Sequence, residues 1–176
     1  DDLPLNVSRE VLQQERIVDQ IKKQVTKKTL DMFHDLAKDK PEEYLTAWGH
    51  FGAVLKEGLH MAPEHSGKLG GLLRYRSSAV EGLTSLAEYI ERMPEGQSDI
   101  YYVLGESEAA VAASPHLESL KAKGYEVLYM CDAIDEWAIQ GLGDFDDQRL
   151  VPARFDQITG LSRALFGKTL QYDDAE

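Results

Sequence analysis

Cysteine is almost missing from this chain: Cys131 is the single one in 176 residues. A lone thiol closes no internal disulfide, so the expected compartment is reducing and cytoplasmic. Long apolar runs are missing too. No stretch approaches the roughly 20 residues that a spanning helix requires, and no signal-peptide pattern opens the chain, so no membrane partner is expected. Positive charge is scarce: 19 Lys and Arg face 31 Asp and Glu, a net charge of −12. Phosphate backbones call for a basic surface, so nucleic acid is not an expected partner either. An initiator Met is also lacking. Asp1-Asp2-Leu3-Pro4-Leu5 leads straight into a strand or loop and reads as the interior of a longer protein.

What is present is a foldable composition. Hydrophobic residues make up 43% of the chain, too many for a disordered segment. A chain of this length forms one large or two small domains and can bury roughly 70% of its unfolded surface. The charge is uneven. Residues 1–40 hold eight acidic and eight basic side chains, so the whole −12 falls after residue 40.

The first half has helical periodicity. Ser8 is a candidate N-cap, and Ile17, Ile21, Val25, Met32 and Leu36 recur at spacings of four and seven, widened by Val18 and Phe33. That stripe predicts a helix over 8–38, ended by Asp39-Lys40-Pro41. Shorter helices are predicted over 41–48, 51–57, 63–74 and 84–92, with Gly49, Gly52, Gly58, Gly67 and the Gly70-Gly71 pair as interruptions. Past residue 98 the grammar changes. The apolar runs 100–104 and 126–130 predict buried strands. Helices over 108–113, 115–123 and 132–142 follow in alternation, which implies a small parallel sheet with helices on its faces. After Gly143 the signal fades.

Each chemistry-bearing residue also has a plainer role. Gly105-Glu106-Ser107 sits between strand and helix, where a hydrolase places its nucleophile, yet His116 is the single His after it and no Asp completes a triad. Ser107 as a helix cap explains the same residues. With one glycine, the turn fails as a dinucleotide loop. His34, His50, His60, His65 and His116 have no metal-ligand spacing, and 144–155 lacks the Gly and the Glu of a calcium loop, so no metal site is expected. Asp132, Asp135 and Glu136 suit the positive end of a helix. Trp137 beside them could anchor an apolar partner or fill a core. Arg9 is the misfit. A cation in the first turn opposes the helix dipole, and its guanidinium is better placed if it forks onto an anion such as phosphate.

The segment 2–14, with Asn6, Arg9 and Gln13, resembles the catalytic-loop motif of the heat-shock protein 90 chaperone family. The likeness continues in order. Phe51-Gly52 to Gly58 resembles its F-G-x-x-L-K-x-G stretch, and Leu72-Leu73-Arg74-Tyr75 with Ser77-Ser78 its L-L-R-[FY]-x-S-[ST] motif. Thr84-Ser85-Leu86, Arg92-Met93, Ile100-Tyr101-Tyr102, Ser114-Pro115, Glu126-Val127-Leu128 and Ile134-Asp135-Glu136 follow over about residues 2–142. Trp137 and the short connections resemble the bacterial HtpG type, with a mitochondrial relative also open. Asp147-Gln148 departs from the family's usual Gly-Lys, and from about residue 151 the pattern is lost.

The resemblance implies the C-terminal part of a middle domain from an ATP-driven, homodimeric chaperone. It implies an α/β architecture: a catalytic-loop segment over 1–14, a helical bundle over 15–97, a small α/β/α subdomain with a short, mainly parallel sheet over 98–150, and a C-terminal extension over 151–176. By the same resemblance Arg9 reaches the γ-phosphate of ATP held, with Mg, by the protein's own N-terminal domain. Gln13 matches a neighbouring loop Gln, and Asn6 a loop-ordering Asn. A client surface is expected at Trp137 and Glu136, with the 70-kilodalton heat-shock system as cochaperone partner. The chain alone is then expected to be monomeric, to bind no cofactor and to hydrolyse no ATP. The competing reading is a helical and α/β interaction module with no ATPase role; a serine hydrolase is a distant third.

Overall fold

The computed structural model describes residues 9–153, with side chains from residue 15 onward apart from His116 and Ser119. Asn6, Ser8 and the extension beyond 153 lie outside the described residues. Two compact units, 1–49 and 50–176, divide the chain, and each is described by itself.

The first unit is a long helix α1 (Arg9–Asp39) followed by the opening half of α2 (Pro41–Met61). Proline lacks an N–H and starts α2 at little cost, and the Lys40 carbonyl accepts from Tyr44 N at 3.0 Å. Glu42 and Glu43 in the first turn complement the helix dipole. Leu30, Phe33, Tyr44 and Trp48 are buried, and the rings of Phe33 and Tyr44 meet edge-on at 6.4 Å. The stripe that predicted α1 plays a different part from the one expected. Ile17, Val18, Ile21, Val25 and Met32 are 56% to 61% exposed. Periodicity identified the helix correctly, but the buried residues are Leu30 and Phe33, near the turn into α2.

In the second unit α2 continues unbroken to Met61, through all the glycines expected to interrupt it. Leu55 and Leu59 are buried one turn apart, and burying that face outweighs roughly 1 kcal/mol of helix propensity lost per glycine. The helix expected over 63–74 is shorter. A 3-10 turn (Pro63–His65) leads into α3 (Ser66–Leu72), and the chain then extends into β1 (Tyr75–Ser77). Gly70 explains why glycine sits inside α3: a Cβ there would meet Phe145 Cδ2 at 2.7 Å and Leu142 Cδ1 at 2.9 Å.

Among the described residues, six strands form one sheet in the order β2-β1-β4-β3-β6-β5. The centre is parallel: β4 (Val127–Met130) and β6 (Gln148–Pro152) flank β3 (Asp99–Leu104), with Tyr101 opposite Val127 on one side and Val151 on the other. Both margins are antiparallel, β1 and β2 (Leu83–Thr84) on one, β5 (Asp144–Phe145) on the other. The α/β class and the parallel centre follow the sequence reading, while β1, β2, β5 and β6 are additions to it. Between β3 and β4 lie α5 (Glu108–Ala112) and α6 (Pro115–Lys121); after β4 comes α7 (Asp135–Leu142). Leu117 and Leu120 of α6 pack with Val127, Tyr101, Val103 and Tyr129 on one sheet face. The strand order reverses at β3, so right-handed crossovers carry α7 to the other face.

The short helix α4 (Leu86–Glu91) is held by a capping box in which Glu88 N donates to Ser85 Oγ and Ser85 N donates to Glu88 Oε2. It presents the buried Tyr89, whose hydroxyl donates to Glu126 O at 2.7 Å and accepts from Tyr101 N at 3.0 Å. Burial holds that phenol well above its ordinary range, so it remains a donor. Arg92 forks onto both oxygens of Glu126 at 2.8 and 3.0 Å, closing the same end of the sheet.

The β5–β6 turn places Asp146 at φ 51° and Asp147 at φ 63°, two left-handed residues in a row. Such a turn matches the twist of a hairpin, and glycine occupies it at lowest steric cost. Asp147→Gly is expected to raise stability by roughly 0.5 kcal/mol, and Asp147→Val to lower it by roughly 1–2 kcal/mol. Opposite shifts of the urea midpoint would register this; equal midpoints for the two variants would contradict the turn.

Candidate functional site

The strongest electrostatic feature of the second unit starts from a lysine in the wrong place. Gly52, Leu55, Lys56 and Leu59 form the buried stripe of α2, and Lys56 is 2% exposed. An ammonium there requires anions. Lys56 Nζ lies 2.6 Å from Asp132 Oδ2 and 2.6 Å from Asp135 Oδ1, and 4.8 Å above the Tyr75 ring.

Asp135 opens α7 with no help from its N-cap residue, Ile134, which makes no side-chain capping bond. Its Oδ2 accepts from Asp132 N at 2.9 Å instead, so one carboxylate closes the turn and binds the lysine. Burial raises the Asp135 carboxyl above the usual carboxylate range, with Lys56 pulling against that rise. The Tyr75 phenol is driven well up by burial and then by the two aspartates. Cys131 is raised as well, first by burial and then by Glu108, which keeps the thiol poorly nucleophilic.

One turn beyond Lys56, His60 meets Trp137 of α7 edge-on, with ring centroids 5.5 Å apart. Further along α7, Gly141 rests on the α2 backbone. A Cβ there would come within 2.7 Å of the Leu59 carbonyl carbon and 3.0 Å of His60 N, and closer still to the Leu59 oxygen. Between these two attachments Trp137 is 52% exposed, beside the exposed Glu136. The core alternative for this tryptophan is therefore set aside.

The other candidates separate cleanly. Arg9 and Gln13 fall in the first turns of α1, Arg9 as its first residue; their side chains, like Asn6, lie outside the described residues. Ser107 is a cap, accepting from Ala110 N at 3.3 Å. The Gly105 turn is close-packed on one side, with Val111 Cγ2 2.5 Å from where a Cβ would stand. Within the described residues this strand-to-helix turn serves as the cap of α5. Among them, no group of three or more His, Cys, Asp or Glu side chains could hold a metal ion. No helix of the described residues is long and apolar enough to cross a membrane. Lys56 was missed by sequence reasoning, although a lysine on the apolar stripe of α2 was the available signal.

Comparison with known proteins supplies the family. Residues 1–161 match the family described as Hsp90 protein. Chaperone protein HtpG of Myxococcus xanthus is 63% identical over 153 residues, which is 87% of this chain and 23% of that protein. HtpG of Shewanella loihica is 49% identical over 152 residues, 85% of this chain and 24% of that protein. The middle domain of a Plasmodium falciparum heat shock protein superposes with a TM-score of 0.75 at 28% identity, over 80% of this chain and 59% of that one. The chain spans about a quarter of the length of the curated relatives it matches. It belongs to the heat-shock protein 90 family, in its HtpG-like branch, and corresponds to the C-terminal part of the middle domain.

Proposed function

We propose that this chain is the middle-domain portion of an ATP-dependent, cytoplasmic, homodimeric chaperone and carries two working parts. The first is the family's catalytic-loop segment, residues 2–14, whose Arg9 is the first residue of α1. Arg9 supplies a cation to the γ-phosphate of ATP, which with Mg is held by the N-terminal domain of the whole protein. Asn6 orders the segment before Arg9, and Gln13 is the neighbouring Gln on the same stretch. Support comes from the family match, which covers the loop, and from Arg9 being the first residue of α1. A cation in a first turn is unfavourable toward the dipole and gains a reason if an anion approaches. Delivered on domain closure, it acts on charge in the transition state more than on ground-state binding.

The second part is a surface for clients and for the 70-kilodalton heat-shock system. The observation that carries it is the half-exposed indole of Trp137 on a helix whose Asp135, Ala138, Ile139 and Leu142 are buried. A large amphipathic ring held in water is the kind of anchor that dominates interface energy. Glu136 beside it favours apolar segments that also carry basic residues. Met61, next to His60 in sequence, is 73% exposed and adds apolar area on α2.

In the full-length protein, Arg9→Ala is expected to lower ATP turnover at least about a hundredfold, the lower range for a transition-state cation, with nucleotide affinity unchanged. An unaltered turnover would leave the interaction-module reading. Trp137→Ala is expected to weaken binding of an unfolded client at least about tenfold without changing basal turnover. Unchanged client affinity in that variant would remove the surface reading.

A further inference from the structure

Burying an ion pair seldom adds stability over apolar side chains of similar size, so its presence asks for a geometric reason. Here the geometry is directional. Lys56 touches two carboxylates that lie three residues apart, Asp132 before α7 and Asp135 at its start. The same Asp135 holds the turn through Asp132 N, in a helix with no side-chain N-cap. At the other end, the missing side chain of Gly141 lets α7 settle on the α2 backbone at Leu59 and His60. An eight-residue helix is thus fastened at both ends, and Trp137 and its contact with His60 lie between the fastenings.

We infer that Lys56 is a positioning residue: with Asp132, Asp135 and the Gly141 seat it makes α7 a rigid mount that presents Trp137 in a preset orientation. This rests on the client-surface reading of Trp137 for its function, though not for its geometry. A rigid indole loses little freedom when a partner covers it, which lowers the cost of binding. A mobile one would bind the same chemistry more weakly. Lys56 contributes without touching the partner, since it is buried beneath the helix.

The decisive variant is Lys56→Met/Asp135→Asn in the full chain, because removing both charges leaves no unpaired buried ion. Asp132→Asn is the second variant, at a carboxylate whose side chain is 63% exposed and whose loss the fold tolerates. The 176-residue chain is used for the quenching, where Trp48→Phe in every protein leaves Trp137 as its one tryptophan. Acrylamide quenching of Trp137 is expected to rise roughly twofold in the double variant as the indole gains fast motion, and by a smaller step in Asp132→Asn. Affinity for reduced, carboxymethylated lactalbumin, used as the unfolded client, is expected to fall about tenfold in the double variant. Lys56→Arg should keep both values near those of the parent. Unchanged quenching in Asp132→Asn together with unchanged quenching or failure to fold in the double variant would overturn the inference. Altered quenching with unchanged client affinity would retain the mount and reject the client surface, so the two readings fail separately.

Discussion

The buried ammonium of Lys56 is the constraint from which the second unit is assembled. An unpaired charge at that depth would cost several kcal/mol, a large share of the stability of any small domain. The fold must therefore bring Asp132 and Asp135, 76 and 79 residues away, to within hydrogen-bond distance of it. Doing so joins α2, the end of β4 and the start of α7, and stacks the Tyr75 ring of β1 beneath the same charge. Helix, sheet and crossover are tied at one point. The elements around it, Leu55, Leu59, Ala138 and Leu142, are apolar packing that an approximate arrangement would also bury. The ion pair adds to that packing a contact with fixed partners and direction.

Much of the architecture could be read from residues, and the failures have physical causes. The buried strands β3 and β4 declared themselves because apolar, β-favouring runs bounded by polar turns have few other uses. Their helices followed from Ser107, Pro115 and Gly124, the last at φ 77° as a terminating glycine. Glycine misled in α2, where local propensity lost to tertiary packing. β1 was hidden because Leu72-Leu73-Arg74-Tyr75 continues a helical pattern while the backbone turns at Leu73. The β5–β6 hairpin was hidden by its turn, which uses Asp146-Asp147 where glycine would have signalled it. The α1 stripe shows a different limit: amphipathic spacing reveals a helix, but not which residues find cover.

Site residues divide the same way. Arg9 stood out because its charge conflicts with its position, and the purpose proposed for it rests on the family resemblance. Trp137 was ambiguous in sequence, since exposure cannot be read from a single aromatic, and α7's attachment to α2 resolved it. Asp132 and Asp135 were read as dipole partners, which is true of Asp135 and incomplete. Their second role depends on a lysine 76 residues earlier, and no local pattern reports a contact of that separation.

Among the described residues, the sheet's outermost strands, β2 and β5, are only two residues long. An edge is a row of free backbone donors and acceptors, and a long one recruits any extended chain that drifts past. Such recruitment is a hazard for any sheet: an extended chain could add itself as a further strand and stay. Two-residue margins offer too few hydrogen bonds for that. An extended chain that meets these margins is left with side-chain contacts, which are undone one at a time.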